Sequence, residues 1–238
     1  MFKKSSSGLY QSTLIQSPSI IHGITTREHG NMQDETNRDA LMQSLGISSD
    51  RLYVGKQIHS TNIQIITFGD EYAGANTDGL LYKKEDEHEC VVLGAFAADC
   101  VPMLFFDEKQ QIIGAAHAGW TGVWHHMAKR MIERMIEMGS SAHDIHIIIG
   151  PHIGKCCYTV DDARIKKFSI AFGPSSVTEK TLNLSVAIRT DARRMGILEE
   201  HIDENEALCT SCNDSEFYSY RKLTKETFGE MMAFIGFK

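Results

Sequence analysis

The chain has 238 residues, 42% of them hydrophobic and 23% charged, an ordinary globular composition with enough apolar material for a sizeable core. Its formal net charge is -7 and it carries no dense Lys/Arg run, which argues against nucleic acid as a partner, and no stretch approaches the roughly 20 apolar residues that span a bilayer, which argues against membrane insertion. Behind the start Met1-Phe2-Lys3-Lys4 there is no hydrophobic run, so no signal peptide is read there, and the six cysteines are expected to be reduced thiols in a cytoplasmic protein.

In chain order, the first predicted strand is the short β-branched run 62–68. Residues 90–97 are apolar on both faces, as a buried strand would be, and 103–106 and 112–117 follow as two more strands. After Gly119 the period changes: Trp120, Trp124, Met127, Met131 and Met135 recur at three to four residues, with Lys129, Arg130, Glu133, Arg134 and Glu137 between them. That pattern predicts one amphipathic helix closed near Gly139. A strand over 145–149 stops at Gly150-Pro151, a turn that Gly and Pro explain by themselves, and helices are predicted over Asp162–Phe172, 184–195 and 224–235. Strands and helices mixed without regular βαβ alternation argue for an α+β fold. No repeat or long linker divides the chain, so one layered domain spanning 1–238 is expected, with mixed β-sheets flanked by helices.

Three segments place reactive residues at the ends of apolar runs: Lys56-Gln57-Ile58-His59-Ser60-Thr61-Asn62, Ala97-Ala98-Asp99-Cys100-Val101-Pro102 and Ala115-Ala116-His117-Ala118-Gly119-Trp120. His59, Cys100 and His117 together offer two imidazoles and a thiolate. That set suits zinc and leaves a fourth position open, as in catalytic rather than structural sites. Asp99 adjoins Cys100 and is a candidate partner of the site or proton carrier. Residue types alone leave this open, because a cysteine in an apolar run is commonly a small core residue and the spacing matches no local metal motif. A competing metal reading takes Cys209-Thr210-Ser211-Cys212 with Cys156 and Cys157. Structural zinc sites usually use two separated C-x-x-C knuckles, and here there is one. His125-His126 is expected to be solvated or at the core edge.

Taken together, the ordered segments resemble the YfiH/YlmD-type laccase-domain family. They are Thr25-Thr26-Arg27, Asn37-Arg38, Gln57-Ile58-His59, Thr77-Asp78-Gly79-Leu80, Ala98-Asp99-Cys100-Val101-Pro102 and His117-Ala118-Gly119-Trp120-Thr121-Gly122. Gly150-Pro151-His152-Ile153-Gly154-Lys155-Cys156-Cys157-Tyr158, Cys209-Thr210 and Phe217-Tyr218-Ser219-Tyr220-Arg221 complete them. The resemblance implies a fold related to the cytotoxic-necrotizing-factor-type cysteine hydrolases and a metal site of His59, Cys100 and His117. Zinc is the implied metal, with copper, from an older polyphenol oxidase label, as the alternative. It implies phosphorolysis of adenosine, inosine and methylthioadenosine, with purine nucleosides and phosphate as small-molecule partners, and adenosine deamination. Arg27 and Arg221 are the candidate phosphate cations, since a guanidinium fork suits phosphate, and Asp99 is the candidate proton carrier in deamination. The chain departs from the family pattern at Thr121, where Arg is usual, at Lys222, and at Glu28-His29-Gly30, where a glycine pair is usual after Arg27. Two other readings stand beside this one: a metal-free cysteine hydrolase with Cys100 as nucleophile and His117 as base, and a non-enzymatic partner-binding protein.

Overall fold

Runs that are apolar on both faces need cover on both sides, and in this chain they become the central strands. The computed structural model describes residues 2–69, 74, 76–222 and 227–238. Its strands in chain order are β1 (Phe2–Lys4), β2 (Tyr10–Ser12), β3 (Ile20–Ile24), β4 (Leu52–Val54), β5 (Ile63–Ile65) and β6 (Gly79–Lys83). They continue with β7 (Val91–Ala97), β8 (Val101–Asp107), β9 (Ile112–Ala118), β10 (His146–Ile149), β11 (Ile202–Glu204) and β12 (Met231–Phe237). The helices are α1 (Glu35–Ser44), α2 (Trp120–Trp124), α3 (Met127–Glu137), α4 (Asp162–Phe172) and α5 (Leu184–Arg194).

The strands form two mixed six-stranded sheets, ordered β1-β2-β3-β12-β7-β4 and β11-β10-β8-β9-β6-β5. The sheets pack face to face, with Val91, Leu93, Ile235 and Phe237 of the first meeting Leu80, Leu104, Phe106 and Ile113 of the second. On the outer face of the second sheet, Met127, Met131 and Met135 of α3, Phe168 of α4 and Ile188 of α5 cover Leu81, Met103 and Phe105. Leu41 and Met42 of α1 cover Val92, Phe96, Met232 and Phe234 on the first. The result is the expected α+β architecture, mixed sheets flanked by helices. Among the described residues, no helix is long and apolar enough to cross a membrane.

Three expectations need correction. The helix predicted over 224–235 is absent from residues 227–235: Met231–Phe237 is β12, buried throughout and paired antiparallel with both β3 and β7. Residues 224–226 lie outside the described residues. A short continuous apolar run does not distinguish helix from strand by period, and here two waiting strand edges decide it. The single helix predicted after Gly119 is two. His126 adopts a left-handed φ of 61° between α2 and α3, and its Nδ1 lies 2.8 Å from Oδ2 of the buried Asp191 on α5. The strand predicted over 62–68 shortens to Ile63–Ile65.

Candidate active site and metal centre

The three candidate ligands come from three separate places in the chain, and topology brings them together. β7 belongs to the first sheet and β8 to the second, so Ala98-Asp99-Cys100 carries the chain across the sandwich. The β8–β9 register pairs Val101 with Ala118 and Pro102 with His117, which sets Cys100 opposite Gly119 at the strand ends. His59 arrives on the loop between β4 and β5. Its neighbour Gln57 extends the edge of β7 by bonding both backbone groups of Phe96, at 2.9 and 2.7 Å. The Cys100 Sγ is 3.8 Å from His59 Nε2, and the two imidazole rings meet edge to face with centroids 4.8 Å apart. One ligand atom from each of the three lies within 4.8 Å of the others.

Asp78, just ahead of β6, organises this cluster. Its carboxylate accepts from the amides of Ile58, His59 and Ser60 at 3.2, 3.0 and 2.7 Å and from the Ser60 hydroxyl at 2.7 Å. Its Oδ1 also lies 2.9 Å from His117 Nδ1, and its backbone carbonyl accepts from the His117 amide at 2.8 Å. One buried side chain therefore fixes both the loop that carries His59 and the ring of His117. The bond at Nδ1 leaves His117 Nε2 free to act as a ligand, the usual arrangement behind a metal-bound imidazole. Burial alone would push the Asp78 carboxyl up, but hydrogen bonds from His117 and Ser60 outweigh it and hold it down at about 2. Burial opposes a charged His117 ring, yet Asp78 and Cys100 raise it to about 9. Burial likewise opposes a Cys100 thiolate, and the two imidazoles bring it down to about 7. The hydrogen bond to Cys100 raises His59. The centre is thus disposed to hold a thiolate near neutral pH.

The donor set fits a metal. A tetrahedral zinc with S at about 2.3 Å and N at about 2.0–2.1 Å sets sulfur and nitrogen about 3.6 Å apart, close to the separation of Cys100 and His59. Space beside the cluster is also kept: a Cβ on Gly119 would meet both Cys100 Sγ and His59 Cδ2 at 3.0 Å. His59 and Asp99 hold left-handed φ values of 60° and 84°, each costing on the order of 1–3 kcal/mol outside glycine. Backbone strain is therefore placed at one candidate ligand and beside another.

The cluster lies on the wall of a cavity of about 610 Å³, a size suited to a small molecule. Phe96, Trp120, Tyr158, Tyr220 and Phe228 give the cavity aromatic faces, and Lys56, Arg164 and Arg221 give it cations. The Arg164 guanidinium stacks over Trp120 at 4.4 Å, and that of Arg221 lies over Tyr158 at 5.2 Å. Of the residues singled out from sequence, His59, Asp99, Cys100, His117 and Arg221 all line this cavity. Arg27 does not. Its Nε donates to the Phe217 carbonyl at 3.0 Å and its guanidinium lies 4.4 Å from the Tyr218 ring centroid. Asp99 accepts from Thr210 Oγ1 at 2.6 Å, Ser219 Oγ at 3.1 Å and the Arg221 amide at 2.8 Å, so its carboxylate is engaged in holding the Arg221 segment. Sequence reasoning passed over Asp78 and Arg164. Asp78 stood inside a quoted motif, but nothing local reveals that its partners come from residues 58–60 and 117. Arg164 sits on a helix surface, where an arginine is unremarked.

A family model described as multi-copper polyphenol oxidoreductase laccase matches residues 24–238. The chain is 33% identical over 217 residues to a protein named purine nucleoside phosphorylase YlmD from Geobacillus stearothermophilus, covering 84% of this chain and 77% of that one. It is 28% identical over 202 residues to adenosine deaminase RL5 from an unknown prokaryotic organism, covering 78% and 75%. The crystal structure of hypothetical protein YfiH from Bacillus licheniformis superposes with a TM-score of 0.85 at 30% identity, covering 100% of this chain and 99% of that one.

Proposed function

The chain belongs to the laccase-domain family whose model spans residues 24–238, and we propose that within it this protein is a zinc-dependent purine nucleoside enzyme. The reactions proposed are phosphorolysis of adenosine, inosine and methylthioadenosine to free base and the sugar 1-phosphate, and deamination of adenosine. One observation carries the reading: His59, Cys100 and His117 line a cavity that also presents aromatic faces and guanidinium groups, in a chain similar to named nucleoside phosphorylases. Zinc, with copper as the alternative, would be held by His59, Cys100 and His117 and would supply a Lewis acid able to activate water or polarise an oxygen.

The remaining work falls to the chain. A purine offers two flat faces, and Trp120, Tyr158 and Phe228 offer surfaces against which it can stack. Phosphorolysis forms a bond from a phosphate oxygen to the anomeric carbon as the glycosidic bond breaks, and the base leaves with its electron pair and takes up a proton. Phosphate therefore has to be held against the sugar by cations. Arg221 is retained for that role, and Lys56 and Arg164 join it in place of Arg27, which is not part of the cavity wall. Thr121 removes the arginine usual in this family, but Arg164 stacked on the adjoining Trp120 keeps a guanidinium on the same wall. Asp99 enters as a positioning residue. Its carboxylate accepts from Thr210, Ser219 and the Arg221 amide, which holds the Arg221 segment against the cavity.

Incubation with adenosine, with and without phosphate, tests the proposal when adenine, inosine and hypoxanthine are resolved. Adenine that appears only with phosphate, and inosine that appears with or without it, are expected. A zinc-loaded chain that turns over no nucleoside contradicts the proposal. The thiolate–imidazolium character of Cys100 and His117 supports a second reading, a metal-free cysteine hydrolase. It predicts that activity survives chelation and is lost on alkylation of Cys100.

A further inference from the structure

Away from the cavity floor, a second group of reactive side chains meets. The turn after Gly150-Pro151 carries Cys156 and Cys157, and the segment after β11 carries Cys209 and Cys212. The backbone ties the two together: His152 bridges Cys209 in parallel register, the Thr210 amide donates to the His152 carbonyl at 3.0 Å, and the Gly154 amide donates to Cys209 Sγ at 3.2 Å. Cys212 Sγ lies 3.5 Å from that of Cys156 and 3.4 Å from that of Cys157, and all four sulfurs lie within 4.8 Å of one another.

These distances favour a shared ion over a bond between pairs. A disulfide draws two sulfurs to about 2.05 Å and leaves the other two aside. Four sulfurs at about 2.3 Å from one tetrahedral zinc stand about 3.8 Å apart, inside the observed spread. The surroundings agree. The Gly154 amide donates to Sγ of Cys209, the buried member, as it would to a thiolate ligand. A Cβ on Gly154 would meet Cys156 Sγ and Cys209 Cβ, both at 3.3 Å, so glycine keeps the sulfurs' space open. Cys156 and Cys212 are exposed, which gives an ion a way in.

We propose that Cys156, Cys157, Cys209 and Cys212 form a second metal site, a closed four-thiolate site for zinc. It supplies the second pair of sulfurs from an adjacent Cys-Cys dipeptide rather than a second C-x-x-C. Four protein ligands leave no open position, so the site is structural. It joins the turn that bears Ile153 and Tyr158 to the segment that bears Thr210, whose hydroxyl holds Asp99 beside Cys100. It therefore clamps one wall of the cavity and does not depend on which reaction the cavity hosts.

The test counts zinc per chain in the unaltered protein, in Cys100→Ala and in Cys212→Ser, after removal of free metal. In Cys100→Ala, cadmium titration follows the thiolate-to-metal charge-transfer band, and alkylation with and without zinc is mapped by peptide. The expected results are two zincs in the unaltered chain and one in Cys212→Ser. In Cys100→Ala the band saturates at one cadmium, and zinc shields Cys156, Cys157, Cys209 and Cys212 together while Cys90 reacts as before. If the centre at His59, Cys100 and His117 fails to hold zinc, the unaltered chain keeps one zinc and the Cys100→Ala results stand, which still supports this site. Equal alkylation of the four thiols with and without zinc, or no cadmium band in Cys100→Ala, overturns it. So does a disulfide among them in the non-reduced peptide map of freshly purified protein.

Discussion

Asp78 concentrates more of the site's order than any ligand does, because it bonds the loop of His59 and the ring of His117 at once. Asp78→Ala leaves three loop amides and a buried imidazole without their acceptor, and should destabilise the chain by roughly 3–5 kcal/mol and weaken metal binding by about 10–100-fold. Urea unfolding of the metal-free chain and a zinc competition assay measure the two effects. Its carboxyl is held at about 2, below the ordinary value of 3.8 that it regains on unfolding. The sign follows: the stabilisation is fully present above about pH 4 and is lost as pH falls toward 2, a contribution of about 2 kcal/mol. Metal-free protein should show this acid limb, and Asp78→Ala should flatten it. At the phosphate end, Arg221→Ala should raise the phosphate KM by about tenfold or more, as loss of a charged hydrogen bond implies, while Arg27→Ala leaves it unchanged. Equal effects of the two replacements would remove Arg221 from the proposed role. The cavity-lining positions of His59, Cys100 and His117 were legible only as an ordered set of motifs. Asp78 was not legible, because its bonds close over 39 residues to His117 and no local period reports such a contact.

At the scale of elements, buried strands with one unmistakable pattern were read well. Residues 90–97 needed only two apolar faces to be recognised, and 112–117 followed as a strand close behind it. β12 was read as a helix because its pairing with β3 and β7 lies far away in sequence. The break between α2 and α3 was missed because the apolar stripe continues through it. At the break His126 turns left-handed and its ring meets Asp191, again a distant partner. The three-residue strands β1, β2, β4 and β11 and the helix α1 carried too little pattern to be noticed. Native-state hydrogen exchange separates these assignments. Amides of Met231–Phe237 should be among the slowest to exchange, as in a central strand, and those at the His125-His126 junction markedly faster than the interior of α3. Phe234→Ala, which empties a fully buried position between β12 and α1, should cost about 3–5 kcal/mol in urea unfolding.

Across the whole molecule, two sheets that share a core also share a crossing point, and the site sits there. Cys100 is carried by the link from one sheet to the other, His117 by a central strand of the second, and His59 by a loop tied to the first through Gln57. Motion of one sheet against the other would separate these three side chains. Zinc held by His59, Cys100 and His117 is proposed to support turnover of purine nucleosides. That role is tested most directly by adenosine phosphorolysis measured on the purified chain, after chelation, and after zinc is returned, beside His59→Ala carried through the same steps. Activity should be lost on chelation and restored by zinc in the unaltered chain, with none restored in His59→Ala. Full activity in the chelated chain, or equal recovery in His59→Ala, would contradict that role.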